Sequence, residues 1–130
     1  MPLNKQNAGT PQDWLRHAKS DLELARVSPP PIVLLEGLCF HAQQAVEKSL
    51  KAILIHFKVS FPRTHNIGVL LDLLPDYIAI PDSVQESAIL SDYAVITRYP
   101  HDLEPVDTDE YLKAVEIADS VLSWAERILK

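Results

Sequence analysis

Apolar positions along this chain recur every three or four residues and are cut into blocks by proline, the pattern of helices that each bury one face. Thr10-Pro11-Gln12-Asp13 opens the first block. It places Thr10 as N-cap, Pro11 at the first helical position and Asp13 near the positive end of the helix dipole. Trp14, Ala18, Leu22 and Ala25 then share a face, and the helix is expected to end near Val27, because Ser28-Pro29-Pro30-Pro31 cannot continue it. A second helix is expected from near Ile32 to about Lys58, roughly 27 residues or about 40 Å long. Leu35, Leu38, Ala42, Val46, Ser49 and Ile53 form its inner face, and Gly37 leaves room for a neighbour to approach closely.

After the turn Phe61-Pro62-Arg63, a short apolar helix is predicted from Ile67 to Leu74, stopped by Pro75 and capped by either Thr64 or Asn66. Tyr77, Ile78 and Ile80 in the connector that follows are expected to tuck against the core. Asp82 or Ser83 opens a fourth helix, in which Ser83-x-x-Glu86 fits a capping box; it is expected to fray by Tyr99, ahead of Pro100. Asp107-Thr108-Asp109-Glu110 opens the last helix, with Tyr111, Val115, Ala118, Leu122, Ala125 and Leu129 inward. No segment alternates with period two, and no internal repeat is visible. The fold class is therefore all-α: an antiparallel four-helix bundle with one additional short helix. Residues 1–9 read as a flexible tail and residues 10–130 as a single helical domain. Trp124, Ile128 and several leucines near helix edges are expected to expose an apolar strip that pairs by a two-fold axis.

Composition narrows the function classes. The 130 residues are 47% hydrophobic and 23% charged, the balance of a soluble globular protein, and no apolar run approaches the ~20 residues that span a bilayer. With a polar N-terminus, the expected location is the cytoplasm. A net charge of −6 argues against a broad nucleic-acid footprint but leaves room for a local basic patch. Three glycines exclude a Gly-rich phosphate loop. Cys39 is the one cysteine, so no internal disulfide forms, and it reads as a small core residue. No His-x-x-x-His or Glu-x-x-His pair occupies a helical face, so no metal site and no cofactor are assigned.

The candidate chemistry lies on the second helix. His41, Gln44, Lys48 and Lys51 fall within roughly 80° of arc and are neighbours along a stripe. Spacing alone leaves two readings open, a solvated helix face and an anion-binding surface. Arg98 ends the fourth helix, where a guanidinium either satisfies free carbonyls or grips a phosphate with its planar fork. His101 lies close enough in sequence to join it, and His65 sits between a turn and a helix, in a position to cap, pack or bind.

Phe40-His41-Ala42-Gln43-Gln44-Ala45-Val46-Glu47-Lys48-Ser49-Leu50-Lys51-Ala52 resembles the signature of HEPN domains, found in prokaryotes and higher eukaryotes. Thr64-His65-Asn66-Ile67 and Tyr93 with Arg98-Tyr99-Pro100 follow in the family's order, and the resemblance covers residues 14 to 129. It implies an all-α bundle that dimerises, binds a nucleotide and acts with a minimal nucleotidyltransferase partner. Lys48, Lys51 and Arg98 would hold phosphate oxygens, and His41, Gln44 and His65 would shape the cleft. Other members are metal-independent ribonucleases, including toxins, that use an arginine and a histidine separated by four to six residues. Here two residues separate Arg98 from His101, and one separates Arg63 from His65. A non-catalytic binding module is therefore the leading expectation. A ribonuclease toxin using Arg98 and His101 is the alternative, and a ligand-free, antitoxin-like interaction module is a third reading.

Overall fold

The computed structural model describes residues 9–94 and 105–130, and within them the chain is helical with no strand. Helix α1 (Pro11–Arg26) starts as its sequence dictates. The Thr10 hydroxyl accepts from the Asp13 N–H at 3.1 Å, and the Asp13 carboxylate accepts from the Thr10 N–H at 3.1 Å. This reciprocal cap satisfies two otherwise orphaned donors, and the bond from the Thr10 backbone is the main cause that holds the Asp13 carboxyl below its ordinary range. Ala18, Leu22 and Ala25 are buried, as the period predicts, while Trp14 is half-buried.

Helix α2 (Leu35–His56) is shorter at both ends than the predicted span. At its start Val33 closes a turn on the Pro30 carbonyl at 2.9 Å, and Leu34, in extended conformation, offers no side-chain cap. At its end Lys58 turns left-handed, with φ 59°. Its N–H reaches Ile55 O at 3.0 Å, and the Val59 N–H reaches Leu54 O at 2.9 Å, which is the paired closure of a Schellman motif. α2 packs against α1, α3, α5 and the 3-10 helix described below, so it is the hub of the molecule. The predicted inner face holds: Leu38, Ala42, Val46, Ser49 and Ile53 are buried. Gln43, Glu47 and Lys51 are buried as well, because neighbours cover more of α2 than one face. Gly37 brings no neighbour close, since a Cβ there would meet no atom within 4 Å.

Helix α3 (Ile67–Asp72) is capped by Asn66, whose side-chain oxygen accepts from the Val69 N–H at 3.3 Å; Ser91 Oγ accepts from the Ile67 N–H at 2.9 Å. In the connector, Ile78 and Ile80 pack on the core, but Tyr77 does not: it is 79% exposed and touches the edge of the Phe57 ring. Within the described residues the predicted fourth helix is a single α turn, α4 (Asp82–Gln85), continued by a 3-10 helix over Glu86–Ala94; its expected end near Tyr99 lies outside them. The expected capping box does not form. Pro81 is the N-cap, so Ser83 already lies inside the helix. Ser87 instead turns its hydroxyl onto Val84 O at 2.5 Å, the kind of local side-chain bond that competes with regular α-helix.

Helix α5 (Thr108–Ile128) is capped by Asp107, which accepts from the Glu110 N–H at 2.7 Å. Of its predicted inward residues Tyr111, Ala118, Leu122 and Ala125 are buried while Val115 and Leu129 are half-buried, and Trp124 is buried too, rather than forming part of an exposed strip. The Tyr111 hydroxyl donates to Ala25 O near the end of α1; burial is the main cause that raises its pKa. The ion pairs Lys19–Glu126, at 2.8 Å, and Arg26–Asp119 run α1 antiparallel to α5. Contacts from Trp14 to Lys51 and from Asp21 to His41 run it antiparallel to α2. Cys39 is buried in the core between these helices.

Candidate functional site

The polar side of α2 is organised by two carboxylates. Asp21 projects from the buried face of α1 and accepts from Lys48 Nζ at 2.6 Å through one oxygen, while its other oxygen meets His41 Nδ1 at 3.0 Å. Glu47, on α2 itself, accepts from Lys51 Nζ at 2.8 Å and from Gln43 Nε2 at 3.0 Å, and it meets His65 Nδ1 at 2.9 Å. Gln43 also reaches the His65 carbonyl at 3.3 Å, and Gln44 donates to Gln43 Oε1 at 2.7 Å. The stripe is thus two clusters. His41 and Lys48 gather on Asp21; Gln44, Lys51 and His65 gather directly or indirectly on Glu47.

The clusters differ in exposure. Lys48 keeps part of its side chain at the surface, but Lys51 is 7% exposed and Glu47 3%, so the predicted solvent-facing stripe does not extend to Lys51. The Lys51 ammonium sits 5.7 Å from the Trp14 ring centroid and 5.6 Å from that of Phe61. Two aromatic faces and a carboxylate thus replace its water. Burial pushes the Glu47 carboxyl upward, but the bonds from Lys51, His65 and Gln43 more than offset it, and the group stays ionised below its ordinary range. The His65 side chain is two-thirds exposed while its Nδ1 is tied inward, which leaves its outer edge toward solvent. Arg98 and His101 lie outside the described residues. The segment that carries them follows Tyr93, whose hydroxyl bonds the Glu110 carboxylate in the first turn of α5.

Asp21, Gln43 and Glu47 escaped the sequence reading. Each had a signal. Asp21 falls among the inward residues Ala18, Leu22 and Ala25, and an acid in an apolar series needs a partner. Gln43, Glu47 and Lys51 follow one another at intervals of four, the spacing of adjacent turns. Among the described residues, no three His, Cys, Asp or Glu side chains gather in a way that could hold a metal ion. Beside Lys48 an open groove of about 480 Å³ is lined by Gly9, Asp13, Trp14, Arg16, His17 and Lys48.

Comparison with known proteins agrees with the helical fold. The chain is 30% identical over 131 aligned residues to a protein of Methanocaldococcus jannaschii named as a candidate toxin, with 90% of this chain and 82% of that one covered. The crystal structure of TT1696 from Thermus thermophilus superposes with a TM-score of 0.73 at 31% identity, covering 90% of this chain and 96% of the other. The crystal structure of ST0689, an archaeal HEPN homologue, superposes with a TM-score of 0.72 at 25% identity, covering 94% and 99%. Residues 11–128 match the HEPN domain family, and with these relatives on either side the chain belongs to that family.

Proposed function

We propose that this protein is a nucleotide-binding HEPN module, paired with a second copy and acting with a small nucleotidyltransferase in a toxin–antitoxin setting. The supporting observation is the way Asp21 and Glu47 each hold several donors by one nitrogen apiece. The imidazoles and ammonium groups are fixed before any ligand arrives, and preorganised donors lose little freedom on binding an anion. On this reading Lys48 and Arg98 face phosphate oxygens, His41, Gln44 and His65 shape the wall, and Lys51 acts from behind it through Glu47.

A metal-independent ribonuclease is the second reading, favoured by the candidate-toxin name of the Methanocaldococcus relative. One pair of variants separates the two. For a binding module, Arg98→Ala weakens nucleotide binding by about 1.5–3 kcal/mol per lost contact, and His101→Ala changes it much less. For a ribonuclease, His101→Ala abolishes RNA cleavage while RNA binding survives, since a general acid or base contributes about 10²–10⁴-fold to rate. The expected result is no cleavage above background by the wild-type protein, with or without a chelator. Chelator-resistant cleavage lost in His101→Ala reverses the order of the two readings.

A further inference from the structure

We propose that the groove between the start of α1 and Lys48 receives a nucleoside monophosphate, its base against the Trp14 indole and its phosphate on Arg16, His17 and Lys48. This rests on the nucleotide-binding reading and gives the ligand a location that the α2 stripe does not supply. Asp13, Arg16 and His17 stand at i, i+3 and i+4 and so share one face of α1, while Lys48 enters from α2 on the other side. The volume, about 480 Å³, is that of a small-molecule site.

The groove holds both kinds of group that a nucleotide needs. Its aromatic plane is fixed from within, because Lys51, itself held by Glu47, lies over the Trp14 ring. A base stacks on such a plane without needing a particular hydrogen-bond pattern. Arg16 and His17 are open to solvent, and Lys48 is partly so. The Arg16 side chain is 75% exposed, and the one carboxylate within ion-pair reach of it among the described residues is Asp13, at 3.8 Å, beyond hydrogen-bond distance. Lys48 has three N–H donors and gives one to Asp21.

Charge selects the ligand further. Asp13 balances Arg16 and Asp21 balances Lys48, so the groove is rich in donors yet close to neutral, on a chain of net charge −6. A single phosphate suits it; a triphosphate or a long RNA backbone meets too little positive potential.

The test uses the full chain carrying Trp124→Phe, which leaves Trp14 as the one tryptophan of the two in the sequence. The four ribonucleoside 5′-monophosphates, adenosine, ATP and inorganic phosphate are titrated separately, with binding read by calorimetry and Trp14 emission. The expected result is that a monophosphate binds more tightly than ATP, adenosine or phosphate and changes Trp14 emission. Arg16→Ala and Arg16→Glu then weaken it at least tenfold, and Lys19→Ala, on the same helix but paired with Glu126, leaves it unchanged. Both Arg16 variants alter an exposed side chain outside the core, so folding is preserved; circular dichroism checks it. Calorimetric binding that ignores Arg16→Ala and leaves Trp14 emission unchanged overturns the groove while the nucleotide-binding reading stands. Binding of ATP above every monophosphate overturns the selectivity argued from charge. Failure of every nucleotide to bind removes the wider reading and the groove together.

Discussion

At the scale of single residues the least ordinary feature is Lys51, an ammonium taken out of water beside two aromatic rings and balanced by Glu47. Removing one partner of such a pair leaves an uncompensated buried charge. Glu47→Gln is therefore expected to lower stability by about 3–5 kcal/mol, measured by urea denaturation, and Lys51→Met on top of it restores part of the loss. A loss below about 1 kcal/mol would mean that water reaches Lys51 readily. The same carboxylate sets a pH dependence. Its folded pKa lies below the ordinary value of 4.5, so the unfolded chain takes up the proton first as pH falls. This contribution is complete above about pH 4.5 and fades below it, as pH falls toward the lower folded value. Thermal melting of wild type and Glu47→Gln at pH 7 and pH 4 checks the sign: the gap between them narrows at pH 4. The sequence revealed His41, Gln44, Lys48 and Lys51 as neighbours on a helix. It concealed their partners, because Asp21 is 20 residues away from His41 and reaches it only when α1 and α2 pack.

At the scale of elements, helix starts were legible wherever a short polar side chain could cap them. Thr10, Asn66 and Asp107 all do so. Ends and hidden irregularities were less legible. The stretch after Asp82 has helical period, but period does not distinguish an α turn followed by a 3-10 helix from one continuous α-helix. The end of α2 holds another surprise, since a lysine occupies the left-handed position that glycine fills most cheaply. Lys58→Gly is expected to stabilise the protein by about 0.5–1 kcal/mol, because the steric cost at positive φ exceeds the entropy that glycine adds to the unfolded chain. Lys58→Val is expected to destabilise by about 1 kcal/mol or more, since β-branching crowds that conformation further. Chemical denaturation of both variants measures the two signs, and equal stabilities would show that the motif tolerates any side chain.

At the scale of the whole molecule, the all-helical class was legible because hydrophobic period runs through most of the chain, and the family was legible because the short α2 signature lies within it. The apolar surface was misplaced. Trp124 is core, whereas Leu24, Val27, Ile32, Val33 and Leu34, at and beyond the end of α1, are exposed, Ile32 at 88% and Leu34 at 70%. Periodicity marks the apolar face of a helix and says nothing of residues in the turn that joins two helices. With pairing to a second copy part of the proposed function, the protein is expected to sediment at twice 14.6 kDa at micromolar concentration. Leu34→Asp should return it to a single copy, while a wild-type monomer at that concentration would rule the pairing out. Glu47 serves Gln43 and Lys51 within α2 and His65 beyond it, while Lys51 in turn rests on Trp14 of α1. The consequence concerns how the sequence can drift over time. A replacement at any of these positions is judged by whichever partners are already present, so the order of substitutions matters as much as their identity. Lineages that lose the carboxylate and the ammonium as a unit can settle on an apolar centre, whereas those that lose one alone cross a deep trough of poor folding on the way.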